Sequence, residues 1–67
     1  MATGPLVGKH GHVVVHHAGG VIYPCLVVWH DIFSDRVCVC VMTDVLPAPL
    51  RCYVYRQASN PDLRLFE

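Results

Sequence analysis

The stretch YPCLVVWHDIF, residues 23–33, decides the fold of this chain. It holds an apolar run over residues 25–29, bordered by a proline on one side and by a His-Asp pair on the other. Short apolar runs rich in Val and bounded by turn-forming residues are typical of β-strands, whereas a helix would repeat its apolar residues every three to four positions. We therefore predict a strand over about residues 22–30, with Pro24 near its start, where a missing N–H is tolerated.

Three other segments have the same character and predict strands over about residues 12–17, 37–43 and 51–57. Turn-forming residues separate them, among them the pair Gly19-Gly20 and the loop LPAP at 46–49. In segment 37–43 Val alternates with Cys and Met, so both faces of that strand are expected to be buried. Short antiparallel strands in 67 residues predict an all-β fold, a small SH3-like barrel of four to five strands.

The whole chain, residues 1–67, is predicted to be a single domain. Residues 1–10 are expected to form a flexible N-terminal arm, and residues 58–67 a tail that forms at most a short turn or helix. Trp29 is predicted to face the core, because regular alternation would place it on the same side as Cys25 and Val27.

Composition limits the classes of function. Hydrophobic residues make up 54% and charged residues 15% of the chain, which favours a folded domain over a disordered segment. Five basic residues balance five acidic ones, so any nucleic-acid site must be local. A chain of 67 residues has a small core, and the apolar second face of segment 37–43 needs a cover, so a homodimer is expected.

The cellular location of the protein is predicted from the length and position of its apolar runs. The N-terminal sequence MATGPLVGKHGH lacks the basic start and apolar run of a secretory signal, and the longest apolar run falls short of the roughly 20 residues of a membrane span. These features predict a cytoplasmic protein with no membrane partner. In a reducing cytosol the four cysteines are expected to be thiols, with no disulfide framework.

The cysteines allow two interpretations. Cys38 and Cys40 share a strand face and Cys52 lies on the next predicted strand, so three thiolates could meet at a zinc ion. The chain has no C-x-x-C pair, however, and free cysteines behave as small buried hydrophobic residues. Core packing is the favoured interpretation, so no metal site and no cofactor are predicted.

The five histidines are candidates for acid and base catalysis. Metal-independent RNA cleavage needs a base for the ribose 2′-OH, an acid for the leaving oxygen and donors for the phosphate oxygens. His16, His17 or His30 could serve, and His30 is preferred because Asp31 could orient it. The alternative is that histidines at strand ends are half-exposed polar residues without a role.

A group of aromatic and basic residues lies along the last predicted strand, namely Arg51, Tyr53, Tyr55 and Arg56. Exposed side chains of these types stack on bases and contact phosphates in single-strand binding proteins. They are equally favoured at protein–protein interfaces. Both interpretations, RNA binding and protein partner binding, remain open at this point.

Five segments follow one another in a particular order. A glycine opens an apolar strand, and a proline opens a second one that ends in His-Asp and a Phe. A third strand ends in Thr and is followed by Ala-Pro-Leu and by Asn-Pro-Asp-Leu-Arg. These are residues 11–15, 23–33, 37–43, 48–50 and 60–64. In this order they resemble the MazF/PemK family of toxin endoribonucleases of bacterial toxin–antitoxin systems.

The resemblance implies an SH3-like barrel that dimerises, cleaves single-stranded RNA without a metal and is neutralised by an antitoxin protein. The family's catalytic threonine corresponds to Thr43, and its catalytic arginine corresponds to Tyr23, a neutral phenol. The chain also ends before the family's last third, which suggests a shortened or repurposed relative.

Together these observations predict Thr43, His30, Tyr23 and His17 as the catalytic set of a MazF/PemK-like endoribonuclease or of a catalytically weakened relative. The alternative is a non-enzymatic small β-barrel that binds a protein or a nucleic acid through its Tyr/Arg face.

Overall fold

The computed structural model describes residues 4–66, and its strands form one antiparallel sheet. The five strands are β1 (His10–Val15), β2 (Val21–Asp31), β3 (Arg36–Val41), β4 (Cys52–Tyr55) and β5 (Leu63–Leu65). Two short 3-10 turns, His16–Ala18 and Ala48–Leu50, follow β1 and precede β4. The predicted all-β fold is thereby confirmed.

The strands lie in the order β4-β3-β2-β1-β5. Strands β1 to β4 form a meander, because each pairs with the next along the chain, and β5 returns to pair with the free side of β1. Within residues 4–66 the edge strands β4 and β5 do not pair with each other, so the sheet is not closed into a barrel.

The core lies on one face of the sheet, which we call the inner face. Alternation along β1 and β3 places every second side chain there, as the period of two requires. Its buried apolar residues are Val13, Val15, Cys25, Val27, Val37, Val39, Val41, Leu46 and Leu63. The opposite face of the same strands is the outer face.

A β-bulge in β2 overturns the prediction that Trp29 faces the core. Val27 pairs with Val39 and Trp29 with Cys38, so Val28 is the extra residue. Directly opposite residues share a face, and therefore Trp29 lies beside Cys38 on the outer face. The following residue, His30, turns inward and is buried.

The described parts of both terminal segments pack onto the sheet; residues 1–3 of the predicted arm and residue 67 of the predicted tail lie outside the described residues. Gly4 and Gly8 donate their backbone N–H groups to the carbonyls of His30 (2.6 Å) and Val27 (2.8 Å), and Leu6 packs against the core. The segment 4–9 is therefore held along β2 rather than forming a free arm. The predicted turn or helix in the tail is wrong over β5, a strand that places Leu63 in the core.

The prediction of four thiols is wrong for two cysteines. Cys40 and Cys52 lie directly opposite each other on β3 and β4, with Cα atoms 4.1 Å apart, and form a disulfide. Side chains at directly opposed positions are close enough for this bond. Cys25 and Cys38 are free, and burial raises the pKa of both thiols.

Among residues 4–66, no helix is long and apolar enough to cross a membrane.

Candidate functional site

A pocket of about 230 Å³ opens on the outer face where β1 meets β5. It is lined by His12, Val14, Ile22, Pro61, Asp62 and Arg64. Three apolar residues form part of its wall, and the other three supply an imidazole, a guanidinium and a carboxylate. The site is therefore small, local and rich in groups that bind or transfer protons.

His12 and Arg64 lie side by side in the pocket because they are register partners in the β1–β5 pairing. The imidazole of His12 also meets the ring of Phe66 edge to face, with centroids 4.7 Å apart. His12 is thus fixed between an aromatic ring and a cation that could hold an anionic group next to it.

Asp62 links the pocket to a second histidine. Its carboxylate lies 3.0 Å from Nε2 of His16, at the end of β1. The backbone of Asp62 is held at both ends, because its N–H donates to the Asn60 side chain (2.9 Å) and its carbonyl accepts from Val14 N–H (2.8 Å). The carboxylate is therefore well placed to orient His16.

Asp62 is the residue that connects the two imidazoles. It lines the pocket together with His12, and its carboxylate contacts His16 from the pocket border. Asp62 accepts from Val14 N–H, and His12 is two residues from Val14, which corresponds to about 7 Å along a strand.

Two of the four residues predicted to be catalytic lie near the same end of the β2–β3 pair. The last hydrogen bond there runs from Met42 N–H to Pro24 O (2.9 Å), and Tyr23 and Thr43 are the next residues in sequence beyond it. The Tyr23 side chain packs against the core, and the Thr43 hydroxyl accepts from Val45 N–H (3.2 Å).

The two predicted histidines occupy different ends of the sheet. His17 is exposed in the 3-10 turn after β1, at the same end of β2 as Tyr23. His30 lies seven residues from Tyr23 along β2, a distance of about 23 Å in a strand. The four predicted catalytic residues therefore do not converge on one site.

His30 is oriented by Asp35 and not by Asp31. Nε2 of His30 lies 3.2 Å from the Asp35 carboxylate, while its buried Nδ1 has no hydrogen-bond partner among residues 4–66. Asp31 instead accepts from the Ser34 hydroxyl (2.9 Å) and from Phe33 N–H (3.1 Å). These two hydrogen bonds, the Ser34 bond first, lower the pKa of Asp31.

The Tyr/Arg group does not form an open stacking surface. Tyr53 and Tyr55 are half-buried and pack against the core, and burial is the main cause of the raised pKa of Tyr55. The hydroxyl of Tyr53 donates to Leu50 O, and Nε of Arg51 donates to Leu46 O at 2.8 Å. Arg56 follows Tyr55 in chain order and is exposed.

With the Cys40–Cys52 disulfide formed, no group of three or more His, Cys, Asp or Glu side chains in the described part of the chain is arranged to hold a metal ion.

Sequence reasoning missed most of the pocket. It singled out His16 but not Asp62 or Arg64, because they lie on or beside β5, which was not predicted as a strand. Two signals were available in the sequence. The first is that every second residue of a strand shares a face, which puts His10, His12 and His16 on the same side as Val14. The second is that Asp62 precedes a Leu-Arg-Leu segment, whose alternation is typical of a strand.

Comparisons of this chain with protein-family models, with curated proteins and with solved structures gave no match.

Proposed function

We propose that this chain is a metal-independent endoribonuclease that acts on single-stranded RNA, with its site in the pocket between β1 and β5. The observation that carries the proposal is that His12, Arg64 and Asp62 line one cavity, and that His16 is hydrogen-bonded to Asp62 at its border. RNA cleavage without a metal needs a base, an acid and a donor for the phosphate oxygens, and these side chains supply all three.

In the proposed reaction His12 accepts the proton of the ribose 2′-OH, and the freed oxygen attacks the adjacent phosphorus. The bond from phosphorus to the 5′ oxygen breaks, His16 donates a proton to that oxygen, and a 2′,3′-cyclic phosphate and a 5′-hydroxyl result. Asp62 stabilises the imidazolium of His16, as a carboxylate beside a catalytic histidine does. Arg64 binds the phosphate oxygens, a task that suits a guanidinium.

The biological setting is proposed from the resemblance to the MazF/PemK toxins. It comprises a toxin in the cytoplasm, a homodimer and an antitoxin protein that neutralises it. The exposed apolar side chains Val28 (45%) and Val54 (65%) support a protein contact, because unpaired apolar surface of this kind favours association.

The test is cleavage of a long unstructured RNA in excess EDTA. His12→Ala and Asp62→Asn should each slow cleavage, His12→Ala by about 100-fold or more, which is the usual range for loss of a general acid or base. His10→Ala is the matched control, because His10 is an exposed histidine on the same strand and face but outside the pocket. It should cut like the wild type.

Comparing Thr43→Ala with His12→Ala distinguishes the pocket from the alternative site predicted from the sequence, which contains Thr43 and Tyr23. Thr43→Ala should leave cleavage unchanged if the pocket is the site, whereas loss of cleavage in Thr43→Ala with an active His12→Ala would assign the reaction to Thr43 and Tyr23. Wild-type protein that leaves the RNA intact would overturn the proposal and favour the non-enzymatic binding module.

The pH profile gives an independent test. Histidine ordinarily titrates near pH 6.5, and the reaction needs one imidazole neutral and the other protonated. The rate should therefore rise and fall in a bell shape, and Asp62→Asn should change the limb that reports the acid. A rate that rises steadily with pH up to pH 9 would contradict a two-histidine mechanism.

A further inference from the structure

Three cysteines lie on the outer face of β3 and β4, a methionine follows β3, and none of these four residues lines the pocket. Cys38 and Cys40 alternate with buried valines on β3, Met42 follows at the end of that strand, and Cys52 lies opposite Cys40 on β4. We call Cys38, Cys40, Met42 and Cys52 the sulfur row.

The geometry of the sulfur row brings three cysteines close together. The disulfide shows that the Cys40 and Cys52 side chains meet. Cys38 lies two residues along the same strand on the same face, so its Cα is about 7 Å from that of Cys40. Two sulfur atoms on side chains at this spacing can both reach an ion placed between them, since metal–sulfur bonds are about 2.3 Å long.

None of the residues that pair with Cys38 or Cys40 across the sheet carries an oxygen or nitrogen ligand in its side chain that would favour a hard metal ion. Cys38 has Trp29 and Val54 as its register partners, and Cys40 has Leu26 on the side away from Cys52. Neither carboxylates nor imidazoles occupy these positions. Thiolate and thioether ligands without oxygen or nitrogen donors select soft ions, Cu(I) foremost among them.

We propose that the chain with its disulfide reduced binds one Cu(I) ion through the thiolates of Cys38, Cys40 and Cys52, with the Met42 thioether beside them. A dithiol reductant supplies two electrons and two protons to the Cys40–Cys52 bond and is itself oxidised to a disulfide. Cu(I) then displaces the thiol protons from the three cysteines, and copper keeps its oxidation state throughout.

The disulfide makes this site depend on redox conditions. In the oxidised chain two of the three sulfur ligands are bonded to each other, so only Cys38 retains a free thiol in the sulfur row. Disulfides in cytoplasmic proteins are commonly transient or redox-sensing, and thiolates are the metal-binding form. Reduction therefore creates the ligand set, and oxidation removes it.

Trp29 provides a direct readout. It is the only tryptophan of the chain and lies opposite Cys38 on the outer face. The chain is reduced with dithiothreitol, freed of the reductant without oxygen, and titrated with Cu(I) held by the chromogenic chelator bicinchoninate. Uptake is followed by loss of the chelate colour and by quenching of Trp29 fluorescence.

The reduced wild type should take up one equivalent of Cu(I), and Cys38→Ser should bind at least tenfold more weakly. Cys25→Ala is the matched control, because Cys25 is a free thiol on the inner face, and it should bind like the wild type once circular dichroism shows it folded. Met42→Leu, on an exposed side chain, tests the thioether without risk to the core and should weaken binding less than Cys38→Ser.

Three results would overturn the proposal: equal Cu(I) uptake by Cys38→Ser and the reduced wild type, equal uptake by the oxidised wild type, or stronger binding of Zn²⁺ than of Cu(I) to the reduced chain. The ribonuclease assay does not enter this test, because none of the sulfur row lines the pocket.

Discussion

Asp35, in the turn between β2 and β3, combines a left-handed backbone conformation with two side-chain hydrogen bonds. Its backbone has φ 55°, in the left-handed region that Asp and Asn adopt more readily than other residues with a side chain. One carboxylate oxygen contacts Nε2 of His30 at 3.2 Å, and the other accepts from Ala58 N–H at 3.2 Å. Asp35 thus connects a buried histidine to the segment that follows β4.

Replacing Asp35 should show how far the fold depends on this connection. Asp35→Ala removes both hydrogen bonds and leaves His30 buried with neither ring nitrogen satisfied, which should lower the free energy of unfolding by about 1–3 kcal/mol. Asp35→Asn keeps the backbone preference and an accepting oxygen, so it should cost less than half as much. Urea denaturation measures the free energy of unfolding of both variants. Equal losses of free energy in the two would contradict a role for the side-chain hydrogen bonds.

Asp31 gives a prediction about pH. The Ser34 hydroxyl and Phe33 N–H lower its pKa in the folded chain below the value in the unfolded chain. Its contribution to stability is therefore present above about pH 4, the ordinary range of an aspartate, and is lost as the pH falls through the folded pKa.

In Ser34→Ala the pKa of Asp31 should rise toward its ordinary value, because the hydrogen bond with the largest effect is gone. A carboxyl ¹³C NMR titration measures this directly. Ser59→Ala, at an exposed serine elsewhere in the chain, is the control and should leave the pKa of Asp31 where it was. An unchanged pKa in Ser34→Ala would mean that the backbone N–H of Phe33 is sufficient.

At the scale of elements, the sequence predicted the strands that bury an apolar face. β1, β2, β3 and β4 lie within about two residues of their predicted positions, because the period of two and the Gly, Pro and Asp turns are local signals. β5 escaped prediction because it has only three residues and forms by pairing with the distant β1. The pocket was missed for the same reason, since β5 supplies Arg64.

Two other features depended on partners that the sequence does not reveal. The bulge at Val28 is defined by the register of β2 against β3, so alternation alone placed Trp29 on the wrong face. The disulfide depends on Cys40 and Cys52 lying directly opposite each other in the β3–β4 pair, whereas the expectation of thiols came from the predicted compartment.

The bulge leads to a deletion experiment. Removing Val28 leaves Trp29 opposite Cys38 and His30 opposite Val37, so both residues keep their faces and the variant should fold. Removing Val39 from β3, which is regularly paired with Val27, leaves β2 with a second unmatched residue instead of removing the first, so the regular register cannot be kept. Circular dichroism and amide NMR should show a folded chain for the first variant only, and unfolding of both would mean that the bend at Val28 is itself essential.

At the scale of the whole molecule, the open sheet is held by a small core that draws on distant parts of the chain. Among residues 4–66, six of the nine buried apolar residues are valines on β1, β2 and β3, while Leu46 comes from the loop before β4 and Leu63 from β5. The edge strand β4 is four residues long. It is attached by the β3–β4 pairing, by the packing of Tyr53 and Tyr55 against the core, and by the Cys40–Cys52 bond, which closes the loop between the two strands.

The disulfide should contribute strongly to global stability. It joins residues 12 apart in sequence, and closing a loop of about this length restricts the unfolded chain by about 3 kcal/mol. For a domain of this size, a loss of that magnitude should lower the Tm by more than about 10 °C. Thermal unfolding in copper-free buffer, with and without a reductant, measures the loss, and the double variant Cys40→Ser with Cys52→Ser should match the reduced wild type. Cys38→Ser, which leaves the disulfide intact, should respond to the reductant as the wild type does, and a Tm that the reductant does not change would show that β3–β4 pairing alone holds this edge of the sheet.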